Sequence, residues 1–202
     1  MAIRAVIFDI GGVLLKQKPS HSFGTWEKSL GLPEGELGRI IDKSGWNKAA
    51  TLGKISAHEV WQRVGERLDL SNEQVHAIES DFRPDEEINT ELVVLLRSLR
   101  LRYTIATISN AWSDTREALT RKYGLDKIVD AMFFSYEVGL AKPDSRIFQI
   151  AVSRLKVYPE ETIFVDDKDA NVDTARLIGM HGIQYKNNEQ TIADIHKWLE
   201  RE

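Results

Sequence analysis

Asp9 closes a short apolar run, Ile3-Arg4-Ala5-Val6-Ile7-Phe8, and leads into Ile10-Gly11-Gly12-Val13. A buried parallel strand delivers its last residues to the ligand-binding edge of an α/β sheet. A carboxylate placed there, beside glycines that permit close backbone approach, can be a nucleophile, a metal ligand or both. Asp166-Asp167 ends a second apolar run, Thr162-Ile163-Phe164-Val165. Adjacent carboxylates at a strand end repel each other and lose hydration unless a cation or hydrogen-bond donors compensate. Their hard oxygens suit Mg²⁺, which keeps several waters and takes one or two carboxylates plus substrate phosphate. Ser109-Asn110 ends a third run, and a hydroxyl, an amide and free backbone N–H groups at such a point make an anion site. Lys142 lies between Ala141 and Pro143 ahead of a helix, where it can offer a point charge to a phosphate.

Each signal has a plain structural alternative. Asp-x-Gly also makes turns, and paired aspartates also cap a helix such as the one from Ala170. Serine and asparagine are more often N-caps, and most lysines are solvated. What distinguishes this chain is the order of acid, hydroxyl, lysine and acid pair at successive strand ends. Asp169 and Asp173 are expected to face solvent or cap their helix.

The elements that must position these groups are legible as alternating runs. Strands are expected at Arg4–Phe8, Tyr103–Ser109, Ala131–Ser135, Thr162–Val165 and His181–Tyr185. Helices are expected at Glu87–Leu99, Ser113–Tyr123, Ser145–Leu155, Ala170–Gly179 and Thr191–Glu200. Gly124 and Gly179 stand where helix ends fall. This rhythm predicts a parallel sheet with helices on both faces. From Lys16 to about Asp85 no strand is evident. Helical pieces at Phe23–Leu30, Glu34–Lys43, Ala57–Leu68 and Asn72–Phe82 fill that stretch, with Ser56 and Ser71 as caps and Glu59 completing a capping box with Ser56. A connection this long reads as an inserted helical domain rather than a loop.

Composition narrows the classes. A chain of 202 residues, 42% hydrophobic and 29% charged, reads as a soluble globular protein able to bury a sizeable core. No apolar run approaches the roughly 20 residues that span a bilayer, so no membrane role is expected. The absence of cysteine removes thiolate chemistry and fits a reducing compartment, and the expected location is cytoplasmic. A net charge of −4 makes no electrostatic case for nucleic acid. Oligomeric state is not legible.

Taken together, Phe8-Asp9-Ile10-Gly11-Gly12-Val13, Ile108-Ser109-Asn110, Lys142-Pro143-Asp144-Ser145-Arg146-Ile147-Phe148 and Val165-Asp166-Asp167 with Asn171, Ala175 and Gly179-Met180 resemble the four motifs of the haloacid dehalogenase superfamily, whose members are mostly phosphatases. The match covers Ile3–Val13 and about Arg97–Tyr185. The resemblance implies a Rossmann-like three-layer α/β core, residues 1–15 and 86–202, with a small α-helical cap inserted at 16–85. The first strand is then central, between the second and fourth, and Asp9 lies beside Asp166 and Asp167. By the same resemblance Asp9 is the nucleophile that forms an aspartyl phosphate. Ser109, Asn110 and Lys142 hold the phosphoryl group. Mg²⁺ is held by Asp9, the backbone carbonyl of Gly11 and Asp167, with Asp166 adjacent or also ligating, and Asn171 orients Lys142 or the metal shell. The implied partner is a small phosphorylated metabolite, a sugar phosphate above all.

The chain departs from the pattern at Gly11. Most phosphatases of the superfamily carry a second aspartate there, as general acid and base, a role worth roughly 10²–10⁴-fold. Some sugar-phosphate phosphatases of the superfamily also have glycine. An easy leaving group, water, or a cap residue such as His21, His58 or Glu59 would fill the gap, although a lone histidine in a helical insert more often packs or faces solvent. Trp26, Trp46 and Trp61 are expected to pack the insert's own core. Two other readings compete. One is a metal-independent 2-haloacid dehalogenase, against which the Asp166-Asp167 pair speaks. The other is a catalytically lapsed binding or regulatory protein, against which the retention of Asp9, Ser109, Lys142 and Asp167 speaks.

Overall fold

The five expected apolar runs assemble into one parallel sheet in the computed structural model, which describes residues 1–17, 21–81 and 86–200. The chain begins with β1 (Ala5–Phe8) and β2 (Leu15–Gln17), then α1 (His21–Ser29), α2 (Glu36–Lys43), α3 (Trp46–Thr51), α4 (Ala57–Leu68) and α5 (Asn72–Asp81). It returns through β3 (Glu86–Ile88), α6 (Thr90–Leu99), β4 (Thr104–Ser109), α7 (Thr115–Tyr123) and α8 (Leu125–Ile128). It ends with β5 (Ala131–Phe134), α9 (Ser135–Val138), α10 (Ser145–Leu155), β6 (Thr162–Asp166), α11 (Asp169–Leu177), β7 (His181–Gln184) and α12 (Asn188–Leu199).

The sheet order is β5-β4-β1-β6-β7. Phe8 of β1 stands opposite Thr107 of β4 on one side and Val165 of β6 on the other. This central place for β1 is what brings the ends of three sequence-distant strands to one edge. The alternation of side chains fixes the two faces. Val6, Phe8, Ile105, Ile163 and Val165 pack with Leu92 and Leu96 of α6 and Ile195 of α12. Ala5, Ile7, Ala106, Ile108 and Phe164 pack with Ile147, Phe148 and Ala151 of α10 and Ala175 of α11. A strand covered on both faces reads as a nearly continuous apolar run, as Ala5-Val6-Ile7-Phe8 and Ile163-Phe164-Val165 do. Fully buried Phe8, Phe134, Phe148 and Phe164 each contribute about 1.5–3 kcal/mol relative to exposure.

Helices α1–α5 carry a separate core of Leu37, Ile41, Ala50, Val60, Trp61, Val64 and Ile78, against which Trp26 and Trp46 pack. Ser56 and Glu59 form the reciprocal box that starts α4. The main body enters this core through Trp112, whose ring meets Trp61 at 6.4 Å between centroids. The Trp112 indole N–H donates to Asn47 at 3.1 Å, and the Ala57 N–H donates to the Ser113 hydroxyl at 3.0 Å. Gly53, at φ 66°, passes so close to the Tyr136 carbonyl that a Cβ there would lie 2.1 Å from its oxygen. Only glycine permits that approach.

Several elements differ from expectation. β2 and β3 form a two-stranded antiparallel ribbon, Leu15 opposite Ile88, across the expected boundary between residues 15 and 16. A helix expected from Glu87 therefore starts at Thr90, with the Asn89 side chain capping it. Three-residue strands are too short to show a period of two, and Glu-Glu-Ile also reads as a first helical turn. Short α3, α8 and α9 escape notice for the same reason of length. Phe82, the expected end of α5, and residue 85, beside the second expected boundary, lie outside the described residues. Among the described residues no helix is long and apolar enough to cross a membrane.

Candidate active site

Asp9 continues the β1 ladder by one bond, its N–H donating to the Val165 carbonyl at 2.8 Å. The ladder fixes its backbone, and a hydrogen bond from the Ile10 N–H, 2.7 Å from Oδ1, fixes its carboxylate. Lys142 reaches the same oxygen, its Nζ at 2.8 Å, and lies 2.7 Å from Asp166 Oδ2. The lysine is only 5% exposed, so it is not a solvated surface cation. Its backbone is clamped on both sides by the Asn110 amide. Nδ2 donates to the Lys142 carbonyl at 2.9 Å, and the Lys142 N–H donates to Oδ1 at 2.8 Å. The Asn110 side chain, expected to hold a phosphoryl group, is therefore engaged in holding the loop of Lys142. Neither Ser109 nor Asn110 caps α7, whose N-cap position is Asp114.

Asp166 is fully buried, and both its oxygens are occupied. Oδ1 accepts from the Lys168 N–H at 2.9 Å and from Asn171 Nδ2 at 2.9 Å, and Oδ2 accepts from Asn171 at 3.0 Å and from Lys142. Asn171 thus acts on Lys142 through Asp166. Asp167 differs. Its Oδ1 is buried and has no hydrogen-bond partner. A Cβ on Gly12, whose φ is 82°, would lie 2.7 Å from Asp167 Oδ2, so the glycine makes room for this carboxylate. Asp9, Asp166 and Asp167 each present an oxygen within 4.8 Å of the others.

The electrostatics follow from burial and charge count. Burial pushes the Asp9 carboxyl up to about 6, with Lys142 opposing and the Asp166 charge reinforcing the rise. Burial and the Asp166 charge likewise hold the Asp167 carboxyl above the usual carboxylate range. Lys142 pairs with Asp9 and Asp166, while Asp167, half-buried, has only the more exposed Lys168 and the more distant Lys142 to offset it, so the cluster carries more negative charge than its buried ammonium balances. An orphaned hard oxygen within such a cluster matches the donor set that Mg²⁺ takes.

A cavity of about 330 Å³ opens over these groups, lined by Asp9, Gly11, Gly12, Ser109, Asn110, Lys142, Asp167, Lys168 and Asn171. Every expected site residue except Asp166 lines it, and Asp166 lies behind Lys142. Sequence reading missed Lys168, whose only signal is its place after the acid pair. At Gly11 a Cβ would meet nothing within 4 Å, and its φ is not positive, so neither space nor backbone demands glycine. The proposed substitutes from the insert are engaged elsewhere. His58 pairs with Glu79 at 2.9 Å, and Glu59 caps α4. The side chain of His21 lies outside the described residues. Asp169 and Asp173 are exposed, and Asp144 caps α10.

The fold and sequence have known relatives. The D-ribitol-5-phosphate phosphatase of Bacteroides thetaiotaomicron is 26% identical over 196 residues, covering 92% of this chain and 93% of that one. An enzyme of the same organism, solved in complex with magnesium and inorganic phosphate, has the same fold, with a TM-score of 0.78 at 22% identity over 95% of this chain and 99% of that one. A 2-haloacid dehalogenase of Pseudomonas syringae shares the fold at 19% identity and a TM-score of 0.71, covering 97% of this chain and 99% of that one. The chain spans 39% of the bifunctional epoxide hydrolase 2 of Sus scrofa and 19% of acyl-CoA dehydrogenase family member 10 of Mus musculus, two longer relatives that it also matches. A family model described as haloacid dehalogenase-like hydrolase matches residues 3–179, so it takes in β1, the insert and all four site segments, and the chain belongs to that family.

Proposed function

We propose that the chain is a Mg²⁺-dependent phosphatase that hydrolyses the monophosphate ester of a small alcohol through an aspartyl phosphate on Asp9. The observation that carries this reading is the Asp167 carboxylate: its Oδ1 is buried and unpartnered, and the group offers an oxygen within 4.8 Å of oxygens of Asp9 and Asp166, beside a buried lysine. Asp9 and Asp167 with the Gly11 carbonyl would hold the cation, which when bound neutralises phosphate and carboxylate charge. Asp166, with both oxygens taken, positions Lys142 instead. The Asp9 bonds to Ile10 N–H and Lys142 both fall on Oδ1, which leaves Oδ2 to attack phosphorus. The ester P–O bond breaks as the Asp9 O–P bond forms, and the alcohol departs. Water then attacks the acyl phosphate, releasing inorganic phosphate and restoring the Asp9 carboxylate. Lys142 and Ser109 line the cavity where the phosphoryl oxygens would gather, and their fixed positions serve a reaction that asks mainly for charge neutralisation and alignment. With glycine at position 11, the proton for the leaving oxygen comes from water.

The relatives do not choose the carbon skeleton, since a D-ribitol-5-phosphate phosphatase and a sesquiterpene phosphatase are both among them. A metal-independent dehalogenase would have no use for the free Asp167 oxygen. Turnover of p-nitrophenyl phosphate with and without Mg²⁺ tests the proposal, because that leaving group needs little protonation. Release of phosphate only with Mg²⁺ is expected. No release under either condition, or chloride release from 2-chloropropionate without metal, would overturn it.

A further inference from the structure

A second cavity, of about 290 Å³, adjoins the polar one, and the two share Gly11, Ser109 and Asn110 in their walls. Its other walls are of different character. Ile10 and Leu15 contribute from the segment after β1, Trp112 from the loop after β4, and Ala118, Leu119 and Tyr123 from α7. The polar handles of its two aromatic residues are already used. The Tyr123 hydroxyl donates to the Glu86 carbonyl at 2.7 Å, and the Trp112 indole N–H donates to Asn47. The Asn110 amide is held by the Lys142 backbone. Charge reaches this cleft from Glu86, Asp114 and Lys122. Among the described residues, none of α1–α5 lines either cavity. Gly11 lines both cavities, and a Cβ there would stand in open space.

We propose that this cleft holds the organic part of the phosphomonoester and selects an alcohol with a largely apolar carbon skeleton over a sugar or polyol. The proposal rests on the phosphatase reading above. Polar groups reach the cleft from Ser109 and Thr115 and from the charged residues, but a polyol would also leave water for Ile10, Leu15, Ala118, Leu119 and the two aromatic rings, where its hydroxyls find no partner, and unpaired hydroxyls are penalised. An alkyl or aryl group gains from the same transfer. The volume, at the low end of ligand pockets, restricts the skeleton to a small one. Selection by α7 and Trp112 also moves the specificity surface from the helical insert to the main body.

The test is kcat/KM with Mg²⁺ across n-alkyl phosphates from ethyl to hexyl, beside glycerol and glucose phosphates, with p-nitrophenyl phosphate as reference. The alkyl series is expected to rise by about fourfold per methylene, and the polyol and sugar esters to fall at least roughly tenfold below hexyl phosphate. In Ala118→Phe, which fills the cleft from α7, the hexyl-to-ethyl ratio is expected to fall by roughly tenfold or more. A flat wild-type series, or sugar esters that exceed hexyl phosphate, would overturn the assignment while p-nitrophenyl phosphate is still hydrolysed. Loss of all turnover, p-nitrophenyl phosphate included, would instead remove the phosphatase reading and this inference with it.

Discussion

Lys142 and Asp166 meet at 2.7 Å with side chains 2% and 0% exposed, whereas His58 and Glu79 in the helical insert meet at 2.9 Å with side chains 60% and 26% exposed. The distances are nearly the same and the consequences are not. Solvent screens the insert pair, which joins α4 to α5 and can be replaced by water. At the sheet edge each charge depends on a fixed protein partner, because removing one strands the other away from water. The partners there come from the end of β1, from β6 and from the loop before α10, and the β1–β6 register together with the Asn110 clamp on Lys142 brings them together. The teaching of the comparison is that short ion-pair distances mark a candidate site only where the groups are sealed and drawn from separate segments.

The largest effect expected from breaking this arrangement is on turnover. Asp9→Asn should lower p-nitrophenyl phosphate hydrolysis by about 10³-fold or more while far-UV circular dichroism stays native. Near-normal turnover in that variant would rule out a covalent step on Asp9. Lys142→Met leaves Asp9 and Asp166 without their shared cation, so urea unfolding should show a loss of about 3–5 kcal/mol in magnesium-free buffer. A loss under about 1 kcal/mol would mean that the buried cluster is not held by this lysine. Asn171→Ala removes two hydrogen bonds to a charged carboxylate and should cost about 1.5–3 kcal/mol, with turnover reduced by roughly tenfold through displacement of Lys142. Unchanged kcat with lowered stability would confine Asn171 to a structural part.

The smallest effect belongs to a partly solvated pair. Arg116 holds the Glu137 carboxyl below the usual carboxylate range through bonds of 2.6 and 2.8 Å. A depressed folded-state value means stability present above the ordinary carboxylate range and lost as pH falls through the lower, folded value. With the Glu137 side chain 32% exposed, solvent keeps the contribution below about 1 kcal/mol. Glu137→Gln should therefore lower the thermal midpoint slightly at pH 7 and leave it unchanged at pH 2. An equal loss at both pH values would assign the effect to packing instead of charge.

Much of this arrangement can be read along the chain because buried strands write themselves as continuous apolar runs and their ends are where the chemistry lies. Asp9, Ser109 and Asp166-Asp167 each follow such a run, and the order of the sheet follows from the motif resemblance those ends carry. The capping box of Ser56 and Glu59 is likewise local, spanning three residues of one helix. What escaped notice depends on length or distance. β2 and β3 are too short to show periodicity, and they pair across the whole insert. The Trp112 ring belongs to the loop after β4 but packs in the core of the insert, a contact that no local pattern encodes.

By itself the sequence determined which residue types stand at the strand ends, the alternation that builds a three-layer α/β body, and the place of a helical insert within it. These are properties of neighbouring residues, set by side-chain period and backbone preference. Only the tertiary structure decided that Asp166 is spent on Lys142 and Asn171 while Asp167 keeps an unpartnered oxygen, that the Asn110 amide clamps a backbone, and that α7 walls the cavity beside Gly11. Those distinctions depend on which way each group points and how much water reaches it, and both are set by packing between segments far apart in the chain.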